Sequence, residues 1–315
     1  MAEPSTRLTL WGIEVFLAVA EEGAVSAAAR RLGASASAVS QQLSNLEEAL
    51  GAALMDRSSR PVTLTPAGQM FRRRAQAIVN EAAQAKNELA LADLSRLTDF
   101  RLGVIEDFDA EVTPRLLAEM AGDLKDCQFL LETGASHRLY DALDTRALDV
   151  IVAADMGAAA DWMEVHPLLE EPFVAAVPRG ACLDDPEALP LIYYTERHHM
   201  GRQIAAHLAR QNLRLAHRFE LDSYHAIMAM VAEGAGWTIL TPLGALHAHR
   251  FRDATEIRPL PFAPLARTIS LTARRGVLGD MPSRTAARLR GLLSTLVVAP
   301  ATQRLPWLKD SLRLL

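Results

Sequence analysis

The sequence predicts an α/β protein built from unlike parts. These are an N-terminal winged helix-turn-helix that is almost all α, a long linker helix, and a C-terminal part of alternating strands and helices. Three observations predict this. Between Leu10 and Gly68, apolar residues recur at helical spacing, punctuated by serines and glycines where helices would start and stop. Between Gln69 and Leu94 no proline or glycine interrupts the chain. From Asp99 onward, short apolar runs alternate with amphipathic stretches, the mark of an α/β domain. At 315 residues the chain also exceeds the usual size of a single domain.

In the N-terminal part, Ile13, Phe16, Leu17 and Ala20 form the buried stripe of a first helix, broken at Glu22-Gly23. Ser26 stands where an N-cap would satisfy the free amides of a second helix over Ala27–Leu32, and Gly33 supplies the turn. A third helix begins at Ser35 or Ser37, continues through Val39, Leu43, Leu46 and Leu50, and ends at Gly51. The small polar residues at its head leave room for entry into a DNA major groove, about 12 Å wide. Arg57 and Arg60 bracket Ser58-Ser59 ahead of a Pro61–Leu64 strand, the pattern of a wing tip. Ser26, Arg31, Ser35, Ser37, Ser40, Gln41, Arg57 and Arg60 are therefore the candidate DNA contacts. Composition alone does not announce this role: Met1–Pro66 holds five arginines against seven acids, net −2. What matters is local placement, since phosphate contacts need only a few arginines. For Arg30, Arg31 and the Arg72-Arg73-Arg74 triplet, a solvated helix face is an equal alternative.

Thr65 can cap the linker helix and Pro66 suits its first turn. Along it Phe71, Ala75, Ile78, Ala82, Ala85 and Leu89 recur at alternating spacings of four and three, a heptad seam. A helix of roughly 40 Å, at about 1.5 Å per residue, would leave this stripe bare without a cover. Dimerisation is the favoured cover, and packing on the helix's own domain is the alternative.

The C-terminal part begins with a strand over Phe100–Ile105, a helix from Thr113-Pro114 to Met120, a strand over Cys127–Leu131, a helix over Ser136–Thr145 and a strand over Leu148–Val152. After Phe173–Val177 the theme restarts with a strand over Leu191–Tyr194 and a helix over Met200–Gln211. A strand over Arg218–Leu221, a helix over Ser223–Ala232 and a strand over Trp237–Leu240, ended by Pro242, follow. Thr268–Thr272 reads as a strand returning to the first half and Ser283–Leu296 as a closing helix.

The N-terminal segment resembles the LysR-type transcriptional regulators. The resemblance is carried by Phe16 and Val19, Ser26 with Ala28-Ala29 and Leu32, Val39-Ser40, Leu46-Glu47, Leu50-Gly51, Leu54 with Arg57, and Leu64-Thr65-Pro66-Ala67-Gly68. The chain departs from the family at Ala36 and Ser37, where members often have glutamine and proline, and at Gln41, where they often have a basic residue. The docking mode carries over; the base preferences do not. The C-terminal part is similar to the family's effector-binding domain, through Gly103, Glu132 with Gly134, Leu148-Asp149, and Gly234-Ala235-Gly236 ahead of Pro242.

The resemblance implies a winged helix-turn-helix over 8–66, a linker helix over 67–95, and a two-lobed α/β effector-binding domain of the periplasmic-binding-protein type over 98–300. Lobe I would span about 98–174 and 269–300, and lobe II about 175–268. Residues 301–315, with Trp307 and Leu312–Leu315, are an extension the family pattern does not explain, either docked on a neighbouring surface or mobile. The implied partners are double-stranded operator DNA, a small-molecule effector of unknown identity, a second copy or a tetramer, and RNA polymerase.

In such two-lobed folds a ligand binds at the carboxyl ends of the strands. That rule selects Ile105, Glu106 and Asp107, then Ser136, and from the other lobe Thr195, Arg197, Asp222 and Ser223. Many relatives offer hydroxyls where Glu106 and Asp107 stand. An acidic pair there would repel a carboxylate and favour hydroxyl-rich, amine-bearing or neutral ligands, while Arg197 would have the opposite preference. Helix capping or solvation is the plain alternative for both acids.

Other classes find little support. A net charge of −5 decides nothing about partners. The N-terminus has no basic start or apolar core of a secretory signal, no run is long enough to span a bilayer, and a soluble cytoplasmic protein is expected. His198-His199, His207, His217, His225, His247 and His249 lack metal-site spacing and read as surface or core histidines. No G-x-S-x-G, G-x-x-x-x-G-K-[ST] or G-x-G-x-x-G motif occurs, so neither an enzyme nor a resident cofactor is expected.

The leading reading is a transcription factor whose DNA binding responds allosterically to an effector held between the lobes. The alternative is a non-catalytic small-molecule-binding protein, or an enzyme, on the two-lobed fold with an N-terminal interaction module. A third, least favoured, is a redox sensor using Cys127 and Cys182, which the peroxide-sensing branch of the family places differently.

Overall fold

The computed structural model describes residues 7–90 and 97–315, the side chains of 84 and 86–90 excepted. The chain divides near Leu89 into two compact units. In the first, α1 (Leu10–Glu22) is capped by Thr9, whose hydroxyl accepts the Gly12 N–H at 3.1 Å, and ends on Gly23 in the left-handed region. Then come α2 (Val25–Arg31) and α3 (Ala36–Leu50). Ser35 settles the start of α3, since its Oγ accepts the Ala38 N–H at 3.2 Å. Ile13, Phe16, Val19, Val39, Leu43 and Leu46 form the shared core.

Ser26 is not a cap. The chain leaves Gly23 with one extended residue, Ala24, and is already helical at Val25, so Ser26 is an exposed residue of the first turn. The wing is a two-stranded ribbon of β1 (Met55–Asp56) and β2 (Thr63–Leu64), antiparallel with Met55 opposite Leu64. Only the last half of the expected Pro61–Leu64 strand pairs, because the Val62 N–H is drawn instead to the Gly23 carbonyl at 2.8 Å.

Helix α4 (Pro66–Ala90) starts as expected, with the Thr65 hydroxyl accepting the Gly68 N–H at 3.0 Å and donating to the Ala53 carbonyl at 2.7 Å. A Cβ at position 68 would overlap the Leu54 carbonyl oxygen, so glycine is what lets the helix pass the wing strand. The apolar seam of α4 is divided. Phe71 packs on Phe16 with ring centroids 5.3 Å apart, and Ala75 is fully buried in the unit's own core. Ala75 is therefore withdrawn from the proposed dimer seam, since packing on the domain already buries it, and Phe71 is partly covered in the same way. Ile78 is 39% exposed, Ala82 is half-buried and Ala85 is exposed, while the side chain of Leu89 and residues 91–95 of the linker lie outside the described residues.

The second unit contains two sheets. Its elements are β3 (Asp99–Val104), α5 (Val112–Asp123), β4 (Gln128–Thr133), α6 (Ser136–Asp144), β5 (Val150–Ala154), β6 (Met163–Pro172), β7 (Val174–Pro178), β8 (Leu191–Tyr194), α7 (His199–Arg210) and β9 (His217–Leu221). They continue with α8 (Tyr224–Ala232), β10 (Trp237–Leu240), α9 (Pro242–His247), β11 (Thr255–Arg258), β12 (Ala266–Arg274), α10 (Met281–Leu293), α11 (Ala299–Arg304) and β13 (Arg313–Leu314).

Lobe I is a six-stranded sheet in the order β13-β6-β12-β5-β3-β4, and lobe II a five-stranded sheet in the order β11-β7-β10-β8-β9. In lobe I β3 lies between its parallel neighbours β4 and β5, in lobe II β8 lies between its parallel neighbours β9 and β10, and the remaining pairs are antiparallel. The chain crosses between lobes at Phe173, joining β6 to β7, and again between β11 and β12.

The sequence patterns missed β6, β11 and α9. Strand β6 carries acids and prolines, β11 is a charged edge strand, and Pro242, expected to end a strand, occupies the first turn of a six-residue helix. The extension is docked. Leu308 and Leu312 are buried, β13 pairs with β6 through Arg313–Glu170 and Leu314–Leu169, and Arg290 Nε donates to the Leu315 carbonyl at 2.6 Å. No helix among the described residues is long and apolar enough to cross a membrane.

Candidate nucleic-acid interface and interlobe cleft

In the first unit the outer face of α3 is polar. Ser37 and Gln41 are exposed and Ser40 is half-buried. Ser35 and Ser37 share a hydrogen bond at 3.0 Å, and Gln41 donates to Asn45 Oδ1 at 2.8 Å. Such side chains can present donors and acceptors to base edges, while arginines serve the phosphates.

A residue that spacing alone did not single out as a site organises the wing. Glu47 Oε1 accepts the N–H groups of Leu54 and Met55 at 2.8 and 3.0 Å, and its Oε2 takes Arg57 Nη2 at 2.8 Å. Arg57 also donates to Ser44 Oγ at 3.2 Å, so its guanidinium is aimed along α3 while remaining substantially exposed. Arg60 is exposed in the wing loop. Arg31 pairs with Glu21 and Glu22 at the end of α1, and the hydrogen bond and charge of Glu21 hold its pKa above the ordinary value. That guanidinium braces the α1–α2 corner. Ser26 is exposed beside it in α2.

In the second unit an open cleft lies between the lobes, the usual place of a small-molecule site. Ile105, Glu106, Asp107 and Ser136 line it, all from the ends of lobe I strands. The four residues selected from lobe II do not. Thr195 is buried with its hydroxyl donating to Glu220, Arg197 and Asp222 are exposed beside the cleft, close enough for their charges to act on His198, and Ser223 only precedes α8. The reason is local: β8 turns almost directly into α7, so the first turn of that helix fills the mouth. A Cβ at Gly201 would overlap the Thr195 carbonyl, which shows how closely α7 rides on the strand end. The lobe II wall is instead Tyr194, His198, His199, Met200, Gln203 and Tyr224. His198 and His199 are thus cleft residues rather than generic surface or core histidines.

Arg267, on β12, dominates the floor and carries no local sequence signal. Its Nε donates to Glu171 Oε2 at 2.8 Å and its Nη2 to Asp107 Oδ1 at 3.1 Å and Thr241 Oγ1 at 3.3 Å. Glu171 Oε1 also accepts the Leu243 N–H at 2.8 Å. All three charged side chains are at most 5% exposed. Burial alone would lower the guanidinium pKa, but Glu171 and Asp107 outweigh it and hold it well above the ordinary value. Burial raises Glu171, against the pull of Arg267. The charge of Asp107 is therefore answered inside the protein, and the acidic-pair expectation survives only for Glu106. That carboxyl is raised by burial and then by Asp107 and Asp109.

Burial lowers both cleft histidines, helped by His137 at His198 and by Arg202 at His199. Burial, with Asp107 and Glu106, raises the Tyr194 phenol. His199 Nε2 and Gln203 Oε1 are buried without a hydrogen-bond partner among the described residues, an arrangement that a bound ligand or water would satisfy. No group of three or more histidine, cysteine or acidic residues is placed to hold a metal among the described residues.

Comparisons with known proteins agree with this geometry. Residues 10–69 match the model of the bacterial regulatory helix-turn-helix proteins of the lysR family, and residues 97–293 match the LysR substrate binding domain. A probable hydrogen peroxide-inducible genes activator of Mycobacterium avium is 31% identical over 304 residues, covering 93% of this chain and 96% of that protein. A protein of the same description from Mycobacterium xenopi is 35% identical over 191 residues, 60% of this chain and 100% of its own length. Among solved structures, a full-length OxyR from Pseudomonas aeruginosa superposes with a TM-score of 0.66 at 24% identity, covering 90% of this chain and 95% of that one. Full-length CbnR in complex with its target DNA gives 0.65 at 18% identity, covering 90% and 100%. At these identities the two structures establish the fold.

Proposed function

The chain belongs to the LysR family of DNA-binding transcriptional regulators, and we propose that its effector binds in the interlobe cleft and is neutral or cationic, rich in hydroxyl or amine groups. One observation carries this reading. The arginine lining the cleft, Arg267, is already bound to two carboxylates, while Glu106 lines the same space with no ion pair among the described residues. A carboxylate ligand would meet net negative charge there, whereas hydroxyls and amines would find acceptors at Glu106 and Gln203. The N-terminal ends of α6 and α7 line the cleft from opposite lobes, and helix N-termini suit ligand oxygens.

On DNA, the reading assigns base contacts to Ser35, Ser37, Ser40 and Gln41 and phosphate contacts to Arg57 and Arg60. The exposed remainder of the α4 seam, Ile78 and Ala85, contributes to pairing with a second copy that brings a second recognition helix to a two-half-site operator in the cytoplasm.

The relatives described as probable hydrogen peroxide-inducible genes activators raise the question of a redox-active cysteine here. The cysteines of this chain lie away from the cleft. Burial, with Asp99 and Asp149 nearby, pushes the Cys127 thiol up to about 11. That leaves a thiolate fraction on the order of 10⁻⁴ at pH 7, and the thiolate is the reactive form. Cys182 is exposed and donates its Sγ–H to Asp184 at 2.8 Å. Neither arrangement favours a sensor thiol.

The test begins with footprinting on DNA upstream of the gene and its divergent neighbour, where two-fold protection is expected. Operator affinity is then measured against size-matched polyols, amines and carboxylates, since effector and DNA must alter each other's affinity reciprocally. Carboxylates that shift affinity as strongly as the other classes would overturn the charge reading. A firm footprint insensitive to every class would overturn the cleft reading.

A further inference from the structure

The docked extension creates a second cavity, separate from the interlobe cleft. It is a narrow pocket that opens to solvent between lobe II and α11. Its walls are apolar: Met228 of α8, Leu246 of α9, Ile257 of β11, and Leu305 and Leu308 of the extension. Two cations complete it, Arg252 and Arg304, both exposed, and no acidic residue lines it. Arg252 approaches Asp253 at 3.6 Å, but that aspartate is 91% exposed and points to solvent rather than into the cavity lining.

We propose that this cavity is a second ligand site and that it takes a small amphipathic monocarboxylate, with its aliphatic or aryl body against the apolar walls and its carboxylate on Arg252 and Arg304. An apolar ligand body gains by leaving water in such a pocket, and a charge-assisted pair at the mouth fixes its direction. The chemistry is opposite to that of the interlobe cleft, where the resident carboxylates disfavour an anion, so the two cavities sort ligands by charge.

The position of α9 makes the site consequential. Pro242, Ala245 and Leu246 of that helix line the second cavity. Its cap residue Thr241 accepts from Arg267, and its Leu243 N–H donates to Glu171, at the floor of the cleft. An occupant of the second cavity therefore leans on the helix that holds the buried ion cluster.

The test is a calorimetric titration of the full-length protein with octanoate, octan-1-ol and butyrate. Octanoate is expected to saturate a single site, with the alcohol (no charge) and butyrate (short tail) each at least about tenfold weaker. The double variant Arg252→Gln/Arg304→Gln, changed only at exposed positions, is expected to bind octanoate no better than octan-1-ol. The proposal is overturned if octanol and octanoate bind alike to the native protein. It is equally overturned if the double variant keeps the native octanoate affinity, or if octanoate binds only without saturation.

Discussion

Replacing Arg267 with methionine removes the one cation that answers two buried carboxylates. Glu171 is 0% exposed and Asp107 4%, so neither can recover hydration when the guanidinium goes. Breaking such a buried pair costs about 3–5 kcal/mol, most of it the unpaired charge left behind. In a domain of this size that corresponds to a fall of roughly 10 °C in melting temperature.

The sign with pH is fixed. Burial already raises Glu171 in the native protein, and without Arg267 its folded-state pKa rises further above the unfolded value. The folded variant then holds a proton that the unfolded chain releases. Its stability accordingly falls as pH climbs from the ordinary carboxylate range towards the raised value, by up to about 1.4 kcal/mol per pH unit. The deficit relative to the native protein should be small near pH 5 and largest at pH 7.5. Urea denaturation of both proteins across that range measures it. The double variant Arg267→Met/Glu171→Met, which removes a carboxylate with the cation, should regain about 2 kcal/mol or more. A loss below about 1 kcal/mol, or one that does not change with pH, would refute the description of this cluster as a buried, charge-answered unit.

Three further outcomes follow from the first unit. Arg57→Ala should weaken binding to every DNA sequence and lower the slope of log K against log salt by about 0.9; an effect restricted to one base pair would mean that Arg57 reads a base instead. Gly68→Ala places a methyl against the Leu54 carbonyl and should cost about 1–3 kcal/mol in the winged unit, measured by thermal melting; an unchanged melt would show that α4 can slide off the wing strand. Ile78→Glu should shift the sedimenting species towards monomer with little loss of fold, because Ile78 is 39% exposed, whereas Ala75→Glu should unfold the domain core; equal behaviour of the two would contradict the divided seam.

Much of this protein was legible residue by residue. A serine cap at Ser35 or Ser37, the turn at Gly51, the Thr65-Pro66 start of the long helix and the β8 strand over Leu191–Tyr194 depend on interactions within a few positions of the chain, which spacing and residue type encode directly. The lobe I side of the cleft was legible for the same reason, because strand ends project where the following turn begins. Features fixed by distant partners were not. A heptad stripe has the same sequence whether its cover is the helix's own domain or a second chain, and only the packed structure assigns Ala75, and Phe71 in part, to the first.

Arg267 stands in an ordinary strand, and its meaning comes from Glu171, 96 residues away, and Asp107, 160 residues away. Lobe closure at two crossings brings them together. The short β13, invisible as a local pattern, exists because β6 offers it an edge. Sequence by itself determined the elements, their caps and the family, since those follow from local stereochemistry. Which charges are answered, which apolar faces remain open and where the extension docks were decided by tertiary structure, because burial and pairing are properties of neighbours that the chain supplies only after it folds.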